Sequence, residues 1–415
     1  MPMQIAATTG HGQKRETTRA RRTGPARMVR PCPSFSTLPD DLLVIVYRLL
    51  AESASSRVRF AAVCRSWRAA VAVEPRVPAL PWLLLSPRGA RDRTWRALCP
   101  EDGATISLQP RRGAVGRGLI AGYDGGWVVS SQPLLKIVNL FTGAEVPLSE
   151  KQRRMACPHA NLGPGDAVPV VSKIVLSQPP NSDGCIIAAM TENCGIMLSR
   201  VGCPGEGWTI HGCHGFRFTD IAFYNGHLYG VARDCNKLLK CVIGVNKDGA
   251  PVFADCDWID TRMLDYSTSA TPYKKNASYI VDLNGNLAVV VLNRWWDYPK
   301  PYFRVFKLMN NILCQVTWLG DHALFLGQTF SKAVHVPAGN HGGTERNHIY
   351  YSNSLIRDSE AHSDVVFLRI SNTDDALKYH MKYRKIIAHN YEIMSVGYFM
   401  KDGHRDIMWL LPPDI

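Results

Sequence analysis

Residues 279–292 read Tyr-Ile-Val-Asp-Leu-Asn-Gly-Asn-Leu-Ala-Val-Val-Val-Leu. Two apolar runs of strand length, rich in β-branched residues, flank a polar turn at Gly285-Asn286. Gly and Asn adopt the backbone conformations that tight turns require, and β-branched side chains favour extended backbone. The segment therefore predicts two consecutive strands, residues 279–283 and 287–292.

The same turn-and-strand pattern recurs along the chain. It occurs at Gly126-Trp127, Gly184-Cys185, Gly226-His227, Gly285-Asn286 and Asn347-His348, at intervals of 58, 42, 59 and 62 residues. These intervals suit four-stranded propeller blades with variable loops and are too long for leucine-rich or ankyrin repeats. We expect a β-propeller-like domain, with a β-sandwich or an irregular barrel as the alternative. Further strands are predicted at residues 83–86, 127–130, 136–140, 173–176, 185–190, 195–200, 227–232, 240–245, 304–309, 323–327, 348–351 and 365–370.

A short segment before this β region has a helical pattern instead. Apolar residues repeat at helical spacing between Leu42 and Leu50, after Pro39 and two acidic residues that favour a helix start. A second helix is expected from about Ser56, and a third around Trp67. Three short helices in about 38 residues form a small core, so such a module usually needs a partner.

The helical segment closely resembles an F-box. The resemblance rests on Leu38-Pro-Asp-Asp-Leu-Leu at its start and on Val63-Cys-Arg-Ser-Trp-Arg68 at its end. Two departures are Ser56, where many members have an acidic residue, and Val46-Tyr47, where Ile-Leu is more usual. The resemblance implies an adaptor-binding surface, or residues that support it, at Leu38, Pro39, Leu42, Leu43, Val46, Leu49, Val63, Cys64 and Trp67. The alternative for Leu49 and Val63 is that they only hold the helices together.

The rest of the chain resembles the plant F-box proteins whose C-terminal DUF295-type domain is expected to be a β-propeller. The resembling phrases are residues 220–230, 279–285, 318–327 and 347–351, and Met408-Trp-Leu-Leu-Pro412 resembles an ending that supplies a strand to close a ring. The expected fold class is mainly β with a small α module. The expected divisions are a disordered basic tail (1–37), an F-box (38–76), a linker with the first strand (77–94) and a DUF295-type β-propeller-like domain (95–415).

These resemblances imply a substrate receptor of an SCF-type (Skp adaptor–cullin–F-box) E3 ubiquitin ligase. The F-box would bind a Skp-type adaptor and through it a cullin, while the β domain would hold a protein target. Such a receptor acts by raising effective concentration, so we expect neither an active site nor a cofactor. The alternative is a binding protein with a vestigial F-box, associated with nucleic acid through its basic tail.

Few residue patterns suggest catalysis or metal binding. The sequence has no phosphate loop, His-Glu-x-x-His zinc helix or Gly-x-Ser-x-Gly elbow. Thiols and imidazoles occur close together at Cys203, His211, Cys213 and His214, but their spacing matches no standard zinc module, so we expect no metal. Asp220, Asp282 and Asp321 each lie in a blade-like phrase, where a carboxylate that caps a turn is more common than one that lines a channel for chemistry.

One aromatic and basic segment is the predicted target-binding patch. It contains Arg294, Trp295, Trp296, Tyr298 and Tyr302. Trp, Tyr and Arg dominate binding hot spots, and the nearby prolines disfavour a central strand. The alternative is that one of the two Trp side chains packs between blades.

Composition and charge bear on membrane spanning, cellular location and the state of the cysteines. The chain has 415 residues, 46% hydrophobic and 20% charged, and its longest apolar runs have six residues, too few to span a bilayer. The net charge of the whole chain is +13. The first 37 residues carry a large part of it, because they contain seven basic side chains and one acidic side chain. This tail predicts a nuclear-import signal or a solvated basic segment, with an organelle transit peptide as a lesser alternative, so we expect the nucleus or cytoplasm. The 12 cysteines, none in a Cys-x-x-Cys pair, are expected to be reduced thiols.

Overall fold

The computed structural model describes most of the chain between residues 38 and 413. The described residues are 38–50, 54–61, 63–72, 79–87, 94–100, 103–108, 110, 115, 117–154, 169–192, 195–203, 207–211, 217–232, 237–260, 277–293, 302–336, 344–352, 367–369, 376–381, 393–400 and 407–413. The predicted tail, residues 1–37, lies outside them.

Three helices precede the strands. They are α1 (Asp40–Leu50), α2 (Ala54–Ala61) and α3 (Arg65–Ala72), and a fourth short helix, α4 (Glu150–Arg154), lies within the β region. The Pro39 carbonyl accepts the first helical hydrogen bond of α1, from the Leu43 backbone N–H. No helix in the described part of the chain is long and apolar enough to cross a membrane.

Twenty-five strands are present in the described residues. The first twelve are β1 (Trp82–Leu85), β2 (Trp95–Leu98), β3 (Thr105–Leu108), β4 (Arg117–Tyr123), β5 (Trp127–Gln132), β6 (Lys136–Asn139), β7 (Val171–Leu176), β8 (Ile186–Thr191), β9 (Ile196–Arg200), β10 (Thr209–His211), β11 (Phe218–Tyr224) and β12 (His227–Ala232). The others are β13 (Lys237–Val245), β14 (Pro251–Asp260), β15 (Ala277–Asp282), β16 (Leu287–Asn293), β17 (Tyr302–Met309), β18 (Ile312–Val316), β19 (His322–Leu326), β20 (Lys332–His335), β21 (His348–Ser352), β22 (Phe367–Arg369), β23 (Ala376–Met381), β24 (Met394–Met400) and β25 (Ile407–Leu410).

The strands form sheets that follow one another along the chain. In order of hydrogen bonding, sheet A is β25-β1-β2-β3, sheet B is β4-β5-β6, sheet C is β7-β8-β9-β10, sheet D is β11-β12-β13-β14, sheet E is β15-β16-β17-β18, and sheet F is β20-β19-β21-β24-β23-β22. Sheets A to E are antiparallel throughout. Each sheet contacts the next, and sheet F contacts sheet A, which closes a ring. The described strands therefore form a β-propeller, and the sandwich and barrel alternatives are wrong.

The ring is closed by the end of the chain. Strand β25 pairs with β1, so that sheet A contains strands from both ends of the β region. Trp409 of β25 has a fully buried side chain. Its Nε1 donates a hydrogen bond to the Leu326 carbonyl of sheet F, 3.0 Å away. This confirms the predicted closing strand.

Both faces of the middle strands are buried between neighbouring sheets. In β16, Ala288, Val290 and Leu292 pack towards sheet F, whereas Leu287, Val289 and Val291 pack towards sheet D. Successive side chains of a strand point to opposite faces, so a strand buried on both faces is apolar at every position. This arrangement explains the unbroken apolar run at residues 287–292.

The five predicted turns all adopt left-handed backbone conformations. Their φ angles are +88° at Gly126, +78° at Gly184, +75° at Gly226, +70° at Gly285 and +58° at Asn347. The first four lead into the second strand of sheets B, C, D and E. The fifth differs, because the strand that follows Asn347 pairs in parallel with β19 and β24.

Two features depart from the sequence analysis. Cys241 and Cys256 lie opposite each other on β13 and β14 and form a disulfide, so the expectation that all the cysteines are reduced thiols is wrong. The predicted set also lacked β2, β3, β4, β10, β11, β14, β18, β20, β23 and β24. Of these, β4, β11 and β20 are edge strands of sheets B, D and F at the centre of the ring, where polar or small side chains interrupt the apolar pattern.

Candidate functional site

The three N-terminal helices have a small core of their own. Leu43, Tyr47 and Phe60 are almost completely buried, and Ala70 and Val71 of α3 complete the cluster. The Phe60 ring lies between the rings of Tyr47 and Trp67, with centroid distances of 5.4 and 4.4 Å. This core fixes one face of α1 and leaves the other free to interact.

The opposite face of α1 carries an exposed apolar stripe, formed by Leu42, Ile45 and Leu49. These side chains are 48%, 52% and 75% exposed. Residues at offsets of 0, 3 and 7 lie along one side of a helix. Val63, between α2 and α3, is a further exposed apolar side chain of the same module. Contiguous exposed apolar side chains are a common mark of protein-binding surfaces.

The predicted adaptor-binding residues fall into two groups. Pro39, Leu42, Leu49 and Val63 are exposed, so Leu49 and Val63 are not part of the packed core of the helical module. The others belong wholly or partly to the interior: Leu43 is buried, and Leu38, Val46, Cys64 and Trp67 are half-buried. Leu38 packs against the helical core. The sequence analysis did not assign Ile45 to this surface, although its position at helical spacing was the available signal.

The helical module is attached to the propeller. Val58 of α2 packs against the hydrophobic cluster that joins sheets F, A and B. The neighbouring Arg57 is 4% exposed. The helical module therefore contacts the propeller through α2.

A second candidate site is the central cavity, which opens where the innermost strands meet. Its volume is about 410 Å³, within the range of small-molecule sites. Residues of β4, β7, β11, β15, β19 and β20 line it. A Lys332–Asp124 ion pair links sheets F and B at its wall. Burial raises the pKa of Tyr123 to about 12, so this wall residue is a neutral hydroxyl at physiological pH.

Asp220 belongs to a buried ion pair beside the cavity, and not to a turn. Its carboxylate pairs with the Lys173 ammonium of β7, and both side chains are at least 95% buried. The same carboxylate accepts backbone hydrogen bonds from Ile221 at 2.9 Å and Ile280 at 2.7 Å. Burial raises the pKa of Asp220, while the Lys173 ammonium and the two N–H groups oppose this change. Asp220 therefore links the first strands of sheets C, D and E.

The other two predicted aspartates have structural contacts. Asp282 accepts a hydrogen bond from the Gly285 backbone N–H at 2.8 Å, which confirms the turn interpretation for this residue. Asp321 is exposed and pairs with Arg346, which lowers the pKa of its carboxyl. The three carboxylates therefore have separate partners and do not form one shared group.

The remaining predicted site residues are described only in part. Arg294, Trp295, Trp296 and Tyr298 lie outside the described residues, and Tyr302 begins β17 with its backbone opposite Asn293. Of the cysteine and histidine cluster, Cys203 is half-buried and His211 ends β10, whereas Cys213 and His214 lie outside the described residues. No group of three or more His, Cys, Asp or Glu side chains among the described residues is arranged to hold a metal ion.

The comparison with protein families identifies the β region. A family model for the KIB1-4 β-propeller matches residues 97–380, which include most of the ring described above. The chain belongs to the KIB1-4 β-propeller family. Strands β1, β24 and β25 lie outside the matched residues, although β1 and β25 complete sheet A and β24 belongs to sheet F of this KIB1-4 propeller.

Other comparisons give only distant likenesses. No curated protein matches the chain in sequence. Among solved structures, Hsv2 of Kluyveromyces lactis is 10% identical over 55% of this chain and 83% of its own, with a TM-score of 0.27. The dihydro-heme d1 dehydrogenase NirN is 14% identical over 59% of this chain and 56% of its own, with a TM-score of 0.27. The computationally designed Ika8 protein is 12% identical over 55% of this chain and 72% of its own, with a TM-score of 0.26. Likenesses at this level have no bearing on the function of this chain.

Proposed function

We propose that this KIB1-4 propeller protein is a substrate receptor of an SCF-type E3 ubiquitin ligase. In this proposal the helical module is an F-box that binds a Skp-type adaptor and through it a cullin. The DUF295-type propeller holds a protein target near the ubiquitin-charged enzyme. The protein itself is non-catalytic and acts in the nucleus or cytoplasm.

The observation that supports the proposal most is the apolar stripe on α1. Large apolar side chains contribute about 1.5–3 kcal/mol each when they are fully removed from water. Leu42, Ile45 and Leu49 lie on one side of a single helix and are exposed. A partner that covers them gains this free energy without disturbing the helical core, since that core uses the opposite face of α1.

The attachment of α2 to the propeller supports the proposed division of labour. A receptor increases the local concentration of its target around the enzyme, and the gain depends on the geometry of the link. Because Val58 packs against the propeller core, the adaptor surface and the propeller are held together by side-chain packing.

The test is co-purification of a Skp-type adaptor with the intact chain and with an Ile45→Ala, Leu49→Ala double variant. We expect stoichiometric recovery with the intact chain and at least a tenfold loss in affinity with the variant, since each 1.4 kcal/mol corresponds to tenfold. Moderate salt suppresses nonspecific binding by the basic tail.

Ile312→Ala is the matched control, because Ile312 is an exposed isoleucine on the propeller, 54% exposed against 52% for Ile45. It should leave adaptor recovery unchanged. If the folded intact chain recovers no adaptor, the receptor proposal is wrong, and the alternative with a vestigial F-box takes its place.

A further inference from the structure

Two histidines face each other on the wall of the central cavity. His322 begins β19 and His335 ends β20, and the two residues are directly opposite in the antiparallel register. Both line the cavity. Side chains directly opposite on paired strands lie close enough to bind one ligand together.

The ring geometry suits a shared metal ion. The two ring centroids are 5.7 Å apart, and the ring planes are inclined at 79°. Zinc binds imidazole nitrogen at about 2.0–2.1 Å, which places a ring centroid roughly 3.2 Å from the ion. Two imidazoles on one tetrahedral ion then have centroids roughly 5–6 Å apart, and the observed separation lies in this range.

The surroundings of His322 favour this role. The Leu319 backbone acts on its imidazole as an acceptor for a ring N–H. Histidines that ligate metals usually donate their other ring N–H to a carbonyl or carboxylate, because this bond fixes the tautomer and the ring orientation. The neighbouring Asp321 carboxylate also interacts with both imidazoles, although its ion pair with Arg346 offsets much of its negative charge.

Two nearby positively charged side chains, Arg346 and Lys307, disfavour the binding of a metal ion at the two histidines. Arg346 already pairs with Asp321, so its charge is largely compensated. Lys307 acts on His322 electrostatically and lowers the affinity for any cation. Its removal therefore provides a variant that should change binding in the opposite direction.

We propose that His322 and His335 form a two-histidine binding site for a first-row divalent cation such as Zn²⁺. Imidazole nitrogens suit zinc, copper and nickel. With two protein ligands, the other coordination positions face the cavity and accept water or oxygen atoms of a small ligand. A zinc ion with open positions polarises such ligands. The site is independent of the helical module and of the proposed ligase role.

The experiment is calorimetric titration of Zn²⁺ into the full chain, prepared without a histidine tag and with the Cys241–Cys256 disulfide intact. His322→Gln and His335→Gln should each weaken one Zn²⁺ site at least tenfold. His227→Gln is the control, because the His227 ring hydrogen-bonds to the Asn225 carbonyl at 2.8 Å and is not part of the cavity wall. It should bind as the unmodified chain does. Lys307→Gln should tighten the same site about twofold or more.

A second measurement separates this site from the thiols. The chain has 12 cysteines, and those outside the Cys241–Cys256 disulfide can bind zinc as thiolates. Co²⁺ in the proposed site should show an absorption spectrum of nitrogen and oxygen ligands, and the two histidine variants should lose that component. The proposal is overturned if the unmodified chain binds no Zn²⁺, or if both histidine variants bind it with unchanged affinity.

Discussion

At the scale of single residues, the buried ion pair of Asp220 and Lys173 contributes to the stability of the ring. Both side chains are almost completely buried, and they belong to different sheets. A charge that is buried without its partner is strongly destabilising, because it has lost its hydration without gaining an opposite charge. The sequence directed attention to Asp220, but its partner is 47 residues away, and no local pattern indicates that separation.

We therefore expect Asp220→Asn to lower the free energy of unfolding by about 3–5 kcal/mol, because Lys173 stays buried without a counter-charge. Urea unfolding followed by tryptophan fluorescence measures this change. Adding Lys173→Met should recover part of the loss, since the double variant has no unpaired charge. A loss below about 1 kcal/mol in Asp220→Asn would show that the pair is not buried in solution.

At the scale of elements, helix α1 separates a structural face from an exposed face. Leu43 is fully buried in the helical core, whereas its neighbour Leu42 is 48% exposed. Replacing either Leu42 or Leu43 with alanine leaves the helix propensity of α1 almost unaffected, because Leu and Ala are both good helix formers. Any difference between the two variants therefore reports on packing and binding.

Leu43→Ala should destabilise the helical module by about 2–5 kcal/mol, while Leu42→Ala should cost at most about 0.5 kcal/mol. Hydrogen exchange of the α1 and α3 amides measures the stability of the module. Under the proposed function, Leu42→Ala lowers adaptor affinity although the helix remains folded. Equal protection of α1 in both variants would contradict the placement of Leu43 in the core.

The strands show why elements were predictable to different degrees. Middle strands such as β8 and β16 are buried on both faces, and their continuous apolar runs identified them from the sequence. Strand β4 contains two glycines and lines the cavity, so it lacks such a run. Asn347 was recognised as a turn residue, but the parallel pairing that follows depends on β24, more than 40 residues later. The histidine pair was missed for a similar reason, because only the register of β19 and β20 brings the two rings together.

At the scale of the whole molecule, the ring depends on a strand from the end of the chain. Strand β25 inserts Trp409 into a core shared by sheets F, A and B, where its ring packs edge-on against Phe325 and Tyr398 at 5.0 and 5.3 Å. Without β25, the edge of β1 and a large apolar surface of sheet F are exposed to water. An unpaired edge and an exposed core both favour unfolding and aggregation.

Trp409→Ala should cost about 3–5 kcal/mol, and deletion of residues 407–415 should cost more, because it also removes every hydrogen bond between β25 and β1. Most single domains are stable by only about 5–15 kcal/mol, so the truncated chain should show little cooperative unfolding. Trp258→Ala is the control, because Trp258 is 38% exposed on β14 and contributes less buried surface. Guanidinium unfolding of the three variants and the intact chain compares them directly. A truncated chain with the same midpoint and slope as the intact one would mean that the other sheets hold the ring without this strand.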